Sequence, residues 1–300
     1  MTESYVPRVF KFSGAGNDFI VLDGRRGSMD PFREADRIGA LCRAYHTDGL
    51  MILTRPVSDR PASPDFVMEF YNPDGSGGMM CGNGGRCIVA FADYLGIRPA
   101  DGAIYRFLAP DGEHTAEILS QEIPGEKWTV RLKMIDVHGI MPMKDGYFLN
   151  TGTRHFVKFV ADVAPLDMEA DAKPLRWDPA FQPEGANVNF VAQAADGLHV
   201  RTFEKGVEGE TLACGTGLTA SALAAFKAGI PAAGPIPGEA GEDGGNEPAG
   251  NGGAPGPDIS YRLQCRRGDW LQVDFHPGPE DRFTEVYLIG PAELVAVNPL

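Results

Sequence analysis

Cys81-Gly82-Asn83-Gly84-Gly85-Arg86-Cys87 and Cys214-Gly215-Thr216-Gly217 are two versions of one pattern. Each is a cysteine, a glycine, a small polar residue and another glycine, opening onto an apolar run with helical spacing. The runs end alike, in Leu95-Gly96-Ile97 and Ala228-Gly229-Ile230, and fifteen positions separate Cys81 from Gly96 and Cys214 from Gly229 alike. At a helix start, unpaired N–H groups and the helix dipole stabilise a thiolate. The glycines leave those N–H groups bare, able to cradle a carboxylate. One such cysteine alone reads as a buried structural thiol, since cysteine is among the most buried residue types. The duplication changes the reading. Two thiols at equivalent points of pseudo-symmetric halves suit acid/base chemistry on both faces of one carbon.

The repeat extends outward from the cysteines. Val9–Phe12 and Phe19–Leu22 read as strands around the turn Ser13-Gly14-Ala15-Gly16-Asn17-Asp18. Leu149-Asn150-Thr151-Gly152-Thr153-Arg154-His155, running into Phe156–Val160, is its counterpart. Gly16 precedes Cys81 by 65 positions and Gly152 precedes Cys214 by 62, so the two halves share one order of elements. Pro31–Ala44 is helical in composition, with Ile38, Leu41 and Cys42 on one face. Leu50–Leu53, Phe66–Tyr71, Ile104–Phe107, Asn187–Val191 and His199–Glu204 read as further strands. Trp128, Val130, Leu132 and Met134 alternate with polar residues as a half-buried strand does.

Ile88, Phe91, Ala92 and Leu95 form an apolar stripe in the first cysteine helix, with Cys87 as packing. The second, Leu218–Ala228, is apolar nearly all round and belongs inside a sheet. More than half of residues 232–257 are glycine or proline, with four acids and no base, which marks a disordered insertion. The closing segments are a hairpin over Ile259–Arg266 and Trp270–Phe275, then strands over Phe283–Ile289 and Glu293–Val297.

Three hundred residues suggest two domains. The boundary falls near Gly125: residues 1–124 with a C-terminal strand near 287–300 carry Cys81, and 125–286 carry Cys214. A net charge of −14 with no basic stripe argues against nucleic-acid binding. No run approaches the ~20 apolar residues of a membrane span. Five cysteines without CxxC spacing fit neither a disulfide framework nor a zinc ribbon, so no metal is expected and a reducing cytoplasm is. Met1-Thr2-Glu3-Ser4 leads straight into strand-like sequence, without a secretory leader.

Gly14-Ala15-Gly16-Asn17-Asp18-Phe19, Asn72-Pro73-Asp74-Gly75-Ser76, Cys81–Cys87, Asn187-Val188, Glu210–Gly217 and Tyr287–Ala292, in that order, closely resemble the diaminopimelate epimerases. The resemblance spans nearly the whole chain apart from the insertion. It implies an α+β fold of two pseudo-symmetric domains, each a mostly antiparallel β-barrel-like sheet around a central helix, with the site in the cleft between them. It implies cofactor-free epimerisation of LL- to meso-diaminopimelate in lysine and peptidoglycan precursor synthesis by a cytoplasmic homodimer. Cys81 and Cys214 would be the acid/base pair, with Glu204 and His155 assisting. Asn17, Asn72, Gly82, Asn83, Thr153, Asn187, Glu204, Lys205, Gly215 and Thr216 would bind the small amino-acid substrate. Thr153-Arg154 stands where the family usually has Asn-Pro, and Lys205 where it has arginine, which replaces a two-pronged donor by a point charge.

Other readings remain. A proline- or hydroxyproline-type racemase pairs two cysteines on the same fold but lacks the Gly14–Phe19 opening. A phenazine-type isomerase shares the architecture without the cysteine pair. Gly215-Thr216-Gly217-Leu218-Thr219-Ala220 fits a dinucleotide-binding pattern, yet a polar loop rather than a strand precedes it. A non-catalytic binder would tolerate serine at either cysteine.

Overall fold

The computed structural model of the chain describes residues 8–56, 63–77, 81–232 and 259–299. The Gly/Pro-rich insertion lies outside the described residues from position 233 onward. By their contacts the residues form two units. The first runs to Lys133 and also holds Leu212–Gly215 and the chain from Tyr287; the second comprises Met134–Thr211 and Thr216–Val286. The segment carrying Cys214, expected with the second half, thus packs with the first unit.

In the first unit, β1 (Arg8–Ser13) and β2 (Asp18–Asp23) pair antiparallel around the glycine turn, where the Gly14 N–H donates to the Asn17 carbonyl at 2.9 Å. Helix α1 (Ala35–Tyr45) carries the chain to β3 (Gly49–Thr54), which lies parallel to β2. A parallel neighbour cannot be reached by a tight turn, so a helical crossover is needed. The device recurs. Strand β4 (Phe66–Tyr71) pairs antiparallel with β3, and α2 (Gly82–Tyr94) crosses to β5 (Ile104–Ala109), parallel to β4. Strands β6 (Gly112–Ile123) and β7 (Lys127–Lys133) follow antiparallel.

The second unit repeats this order. After β8 (Val137–His138) and β9 (Met141–Met143), β10 (Gly146–Asn150) pairs antiparallel with β11 (Arg154–Phe159). Helix α3 (Met168–Arg176) crosses to β12 (Asn187–Ala194), parallel to β11. Strand β13 (Gly197–Glu204) pairs with β12 and with the short β14 (Gly209–Thr211). Helix α4 (Gly215–Lys227) then leads towards β15 (Ile259–Gln264), parallel to β13, and β16 (Trp270–Pro277) is antiparallel to β15.

The last strand, β17 (Arg282–Pro299), is continuous where two strands were expected. Gly290 and Pro291 do not interrupt it, standing opposite Val130 and Thr129 of β7. Its far end pairs with β1, Phe10 opposite Val297, which closes an eight-stranded barrel in the first unit. Closure leaves this sheet no open edge. Its Arg282–Phe283 end pairs with β8 in the second unit.

Helix α2 packs on β1, β2, β3, β6 and β7, and every residue from Gly82 to Ala92 is buried. Phe91 meets Phe10 and Phe12 at ring centroids 4.9 and 5.7 Å away, with Trp128 5.9 Å beyond Phe12. Each fully buried Phe contributes roughly 1.5–3 kcal/mol before conformational entropy opposes it. Helix α4 is buried at Leu218, Ala220 and Ala222–Ala225, as its all-round apolar sequence requires. Phe226 sits 5.6 Å from Phe275 and 6.0 Å from Phe283. Among the described residues no helix is long and apolar enough to cross a membrane.

Candidate active site

Cys81 stands at the cap of α2 with extended backbone, φ −84° and ψ 131°, and is half-buried. Its carbonyl accepts from the Gly85 N–H at 2.7 Å, which starts the helix directly behind the thiol. Cys214, 7% exposed, immediately precedes α4. The two helix starts meet in the first unit through their glycines. A Cβ on Gly215 would stand 3.7 Å from Gly82 Cα, 3.7 Å from Asn83 Oδ1 and 2.9 Å from Leu288 Cδ2. The two glycines lie against each other at ordinary contact distance, and only the Leu288 methyl would crowd a side chain at Gly215. The Gly14–Gly16 turn packs against both starts. A Cβ on Gly14 would meet the Asn83 carbonyl at 2.7 Å; Gly16, at φ +114°, would meet Ala213 Cβ at 2.7 Å.

Behind Cys81, the fully buried Arg86 orders the polar groups. Its Nη2 donates to Asn83 Oδ1 at 2.9 Å and to the Gly14 carbonyl at 3.1 Å, and Nε donates to the Pro291 carbonyl at 3.4 Å. A guanidinium has donors only. Asn83 must therefore turn its oxygen towards Arg86 and its amide nitrogen towards Asn17 Oδ1, 2.7 Å away. Asn17 thus accepts through its oxygen, which leaves its NH2 as the donor end of the amide. Cys87, one turn along, is fully buried, and burial pushes its thiol up to about 12, so it stays neutral. Burial likewise raises Cys42 and Cys265. Asn72 is half-buried in its turn, donating through Nδ2 to Ser76 Oγ at 3.0 Å.

The second unit assembles a different group. His155 is fully buried on β11. Its Nε2 lies 2.9 Å from Thr153 Oγ1 and 3.0 Å from Thr216 Oγ1, and those two hydroxyls are 3.0 Å apart. Burial holds its pKa down at about 3, so at neutral pH it is an uncharged imidazole that orders hydroxyls. Thr151 Oγ1 donates to the Thr216 carbonyl at 2.8 Å, tying the first turn of α4 to the turn before β11. Gly152 in that turn has φ +109°, close to the φ of Gly16 in the first unit.

Asn187 braces three segments. Its Nδ2 donates to the Arg154 carbonyl at 3.1 Å and to Thr153 Oγ1 at 3.3 Å, while its Oδ1 accepts from the Lys205 N–H at 2.8 Å. Both ends of the amide are thus engaged by the protein itself. Glu204 is half-buried at the end of β13, its carbonyl accepting from the Glu208 N–H at 2.8 Å; Lys205, next to it, is exposed. Arg176 Nη2 donates to Glu208 Oε1 at 2.7 Å and anchors this loop.

The structure thus groups Asn17, Gly82, Asn83, Cys81, Cys214 and Gly215 in one unit, and Thr153, His155, Asn187, Glu204, Lys205 and Thr216 in the other. Asn72 belongs to the first. Sequence reasoning assigned no role to Arg86, Asn189, Thr202 or Thr151. The available signals were an arginine inside a glycine-rich buried helix, and a second asparagine in the otherwise apolar Asn187–Val191 strand.

A family model described as diaminopimelate epimerase matches residues 147–236. A diaminopimelate epimerase of Chlorobaculum tepidum is 35% identical over 295 residues, covering 94% of this chain and 97% of the relative. The chain belongs to the diaminopimelate epimerase family. Two further relatives of that name are similar. That of Flavobacterium psychrophilum is 35% identical over 96% of this chain and 98% of its own. That of Aquifex aeolicus is 40% identical over 74% and 82% respectively. The family's fold is shared more widely. A Bacillus anthracis phenazine biosynthesis protein superposes with a TM-score of 0.68 at 11% identity, over 98% of both chains. A hydroxyproline epimerase of Agrobacterium vitis superposes with a TM-score of 0.58 at 12% identity, over 99% of this chain and 93% of that one.

Proposed function

We propose that this chain is a cofactor-independent isomerase that interconverts LL- and meso-diaminopimelate. The observation carrying the reading is the meeting of the two Cys-Gly helix starts through Gly82 and Gly215. One cysteine, as thiolate, takes the α-proton from one face of the substrate carbon. The electron pair passes into the α-carboxylate as an enediolate, and the other cysteine, as thiol, returns a proton to the opposite face. Each turnover leaves the two sulfurs with exchanged protonation, and the reverse reaction restores them. Backbone N–H groups at Gly82-Asn83 and Gly215-Thr216 stabilise the growing carboxylate charge, as an oxyanion hole does. Asn17 adds a donor because its amide orientation is imposed from Arg86. Glu204 and Lys205 serve the substrate's ammonium and second carboxylate. The enzyme acts as a cytoplasmic homodimer supplying lysine and peptidoglycan precursors.

The test is proton NMR of the reduced protein in D2O with LL-diaminopimelate, and separately with L-proline. Loss of the α-proton signal with appearance of the meso isomer is expected. Exchange of proline alone would keep the cysteine roles and replace the substrate. Serine at Cys81 or at Cys214 should each lower exchange by about 10²–10⁴-fold; full exchange in both variants would overturn the two-thiol reading.

A further inference from the structure

Arg154 lies between Thr153 and His155 in the chain but carries its side chain to different neighbours. Its guanidinium lies over the buried Phe148 ring, 5.0 Å from the centroid, and its Nη1 donates to Glu184 Oε2. A guanidinium laid over a ring spends its face there and keeps its N–H edge for a carboxylate. Glu184 supplies that carboxylate from the solvent side, with its side chain 61% exposed against 29% for Arg154. A hydrogen bond from its own backbone N–H and the Arg154 guanidinium hold the Glu184 carboxyl below the ordinary carboxylate range, and the Lys205 ammonium adds to the pull. Asn187 ties the backbones of the two cationic residues together. Its Nδ2 donates to the Arg154 carbonyl at 3.1 Å, and its Oδ1 accepts from the Lys205 N–H at 2.8 Å. Two cations and one exposed acid thus gather beside an amide that also reaches Thr153, all within the second unit.

We propose that Arg154 is a specificity-determining residue that receives the substrate's second carboxylate, and that Glu184 occupies the guanidinium until the substrate displaces it. An exposed ion pair is held weakly, because water and salt screen it and two long side chains must be ordered to make it. A substrate anchored elsewhere by its own contacts can therefore take the guanidinium from Glu184. The exchange is like for like: one carboxylate leaves as another enters, and the cation keeps a partner throughout. Phe148 holds the fork in place for both, so little side-chain ordering remains to be done on binding. Lys205 alone offers a point charge, whereas Arg154 adds the two-pronged donor that matches a carboxylate. The arginine absent at position 205 is in this way returned at position 154, where the family usually has proline. The inference rests on the proposed epimerase reading for the identity of the substrate; the capture of a carboxylate by Arg154 does not depend on that reading.

LL-diaminopimelate and L-lysine are the probes, because lysine lacks the second carboxylate and otherwise keeps the same groups. Equilibrium dialysis of the full chain with each labelled compound reads binding, and α-proton exchange reads KM and kcat. Native protein should bind diaminopimelate more tightly than lysine. Arg154→Gln should weaken diaminopimelate about tenfold, the range for losing a hydrogen bond to a charged group, and raise its KM alike with kcat little changed. Lysine binding should stay as it was. Arg154→Lys should recover part of the loss, since the charge returns without the fork. Glu184→Gln removes the competing carboxylate and should tighten diaminopimelate about two- to fivefold, the range for an exposed pair. That gain should vanish in the double variant with Arg154→Gln. Diaminopimelate bound no better than lysine by the native chain overturns the inference. So does an Arg154→Gln variant that binds diaminopimelate as the native chain does, or that loses both compounds equally. Weaker binding in Glu184→Gln overturns the displacement of Glu184. A chain that binds diaminopimelate through Arg154 without exchanging its α-proton upholds the carboxylate site and removes the epimerase reading, so the two failures are distinguishable.

Discussion

The starts of α2 and α4 occupy equivalent places in the two halves of the chain, yet their polar groups are ordered by different means. At α2 a permanent cation does the work: Arg86, fully buried, donates to carbonyls and to Asn83, and the direction passes on to Asn17. At α4 a neutral imidazole does it: the Phe156 carbonyl accepts from the Asn189 amide nitrogen, which therefore faces His155 Nδ1 as a donor. A guanidinium has no acceptor and so cannot reverse its polarity, but burying it requires several partners at once. An imidazole is easier to bury uncharged, but it has two tautomers and needs neighbours that select one. The comparison teaches that donor direction can be fixed by charge or by a neutral relay.

The largest expected effect breaks the charged side. Arg86→Gln leaves buried acceptors without donors and should lower stability by about 1–3 kcal/mol for each one left unsatisfied. It also releases Asn17 from its orientation. The urea midpoint reads the first effect, and the KM for diaminopimelate reads the second. A variant as stable as the native chain would show that Arg86 does not organise the α2 start.

Next comes the meeting of the helix starts. Gly215→Ala places a methyl 2.9 Å from Leu288 Cδ2, whereas Gly82→Ala places one at 3.4 Å from the same atom, an ordinary contact. The first should cost about 1–3 kcal/mol by overpacking and the second clearly less. Thermal unfolding of the two variants side by side tests that order. Equal midpoints would mean the two starts are less closely packed than their glycines indicate.

The neutral side is sharpened by pH. Unfolded, the His155 imidazole binds its proton with a pKa near 6.5; folded, near about 3. Below about 6.5 the unfolded chain takes up a proton that the folded one refuses. This part of the stability is present in full above 6.5 and is lost as pH falls towards 3. Its slope approaches about 1.4 kcal/mol per pH unit. Urea midpoints measured down this range should fall less steeply in His155→Gln than in the native protein. Parallel lines would mean that His155 is protonated in the folded state.

The smallest effect belongs to the exposed loop. Lys205→Arg should leave stability within about 0.5 kcal/mol, as surface changes usually do. It should lower the KM for diaminopimelate, since a forked donor replaces a point charge. An unchanged KM would remove Lys205 from substrate recognition.

Much of the fold was legible because periodicity reports burial. The alternation at Trp128, Val130 and Leu132 became β7, with all three side chains fully buried, and the all-round apolar run after Cys214 became the buried α4. Helix α3 went unread. Its signals were Asp167 accepting from the Glu169 and Ala170 N–H groups and the acid-to-base order along the turn, but Pro174 inside it obscured the period. Strand β6 was missed because its outer residues are mostly polar or exposed. Strand β17 was split in two because Gly290-Pro291 resembles a turn locally. Pairing on both sides, with β7 and β1, keeps it extended.

The sequence by itself determined the two cysteine-glycine helix starts, the glycine turns that precede them and the apolar patterns that demand burial. Those are local properties, set by backbone freedom and side-chain period. Only the tertiary structure decided that Cys214 packs with the first unit, that Gly82 and Gly215 touch, and that Arg86 and Asn189 orient the groups around them. Hydrogen-bond direction depends on which donor meets which acceptor across long stretches of chain. No spacing along the chain encodes it.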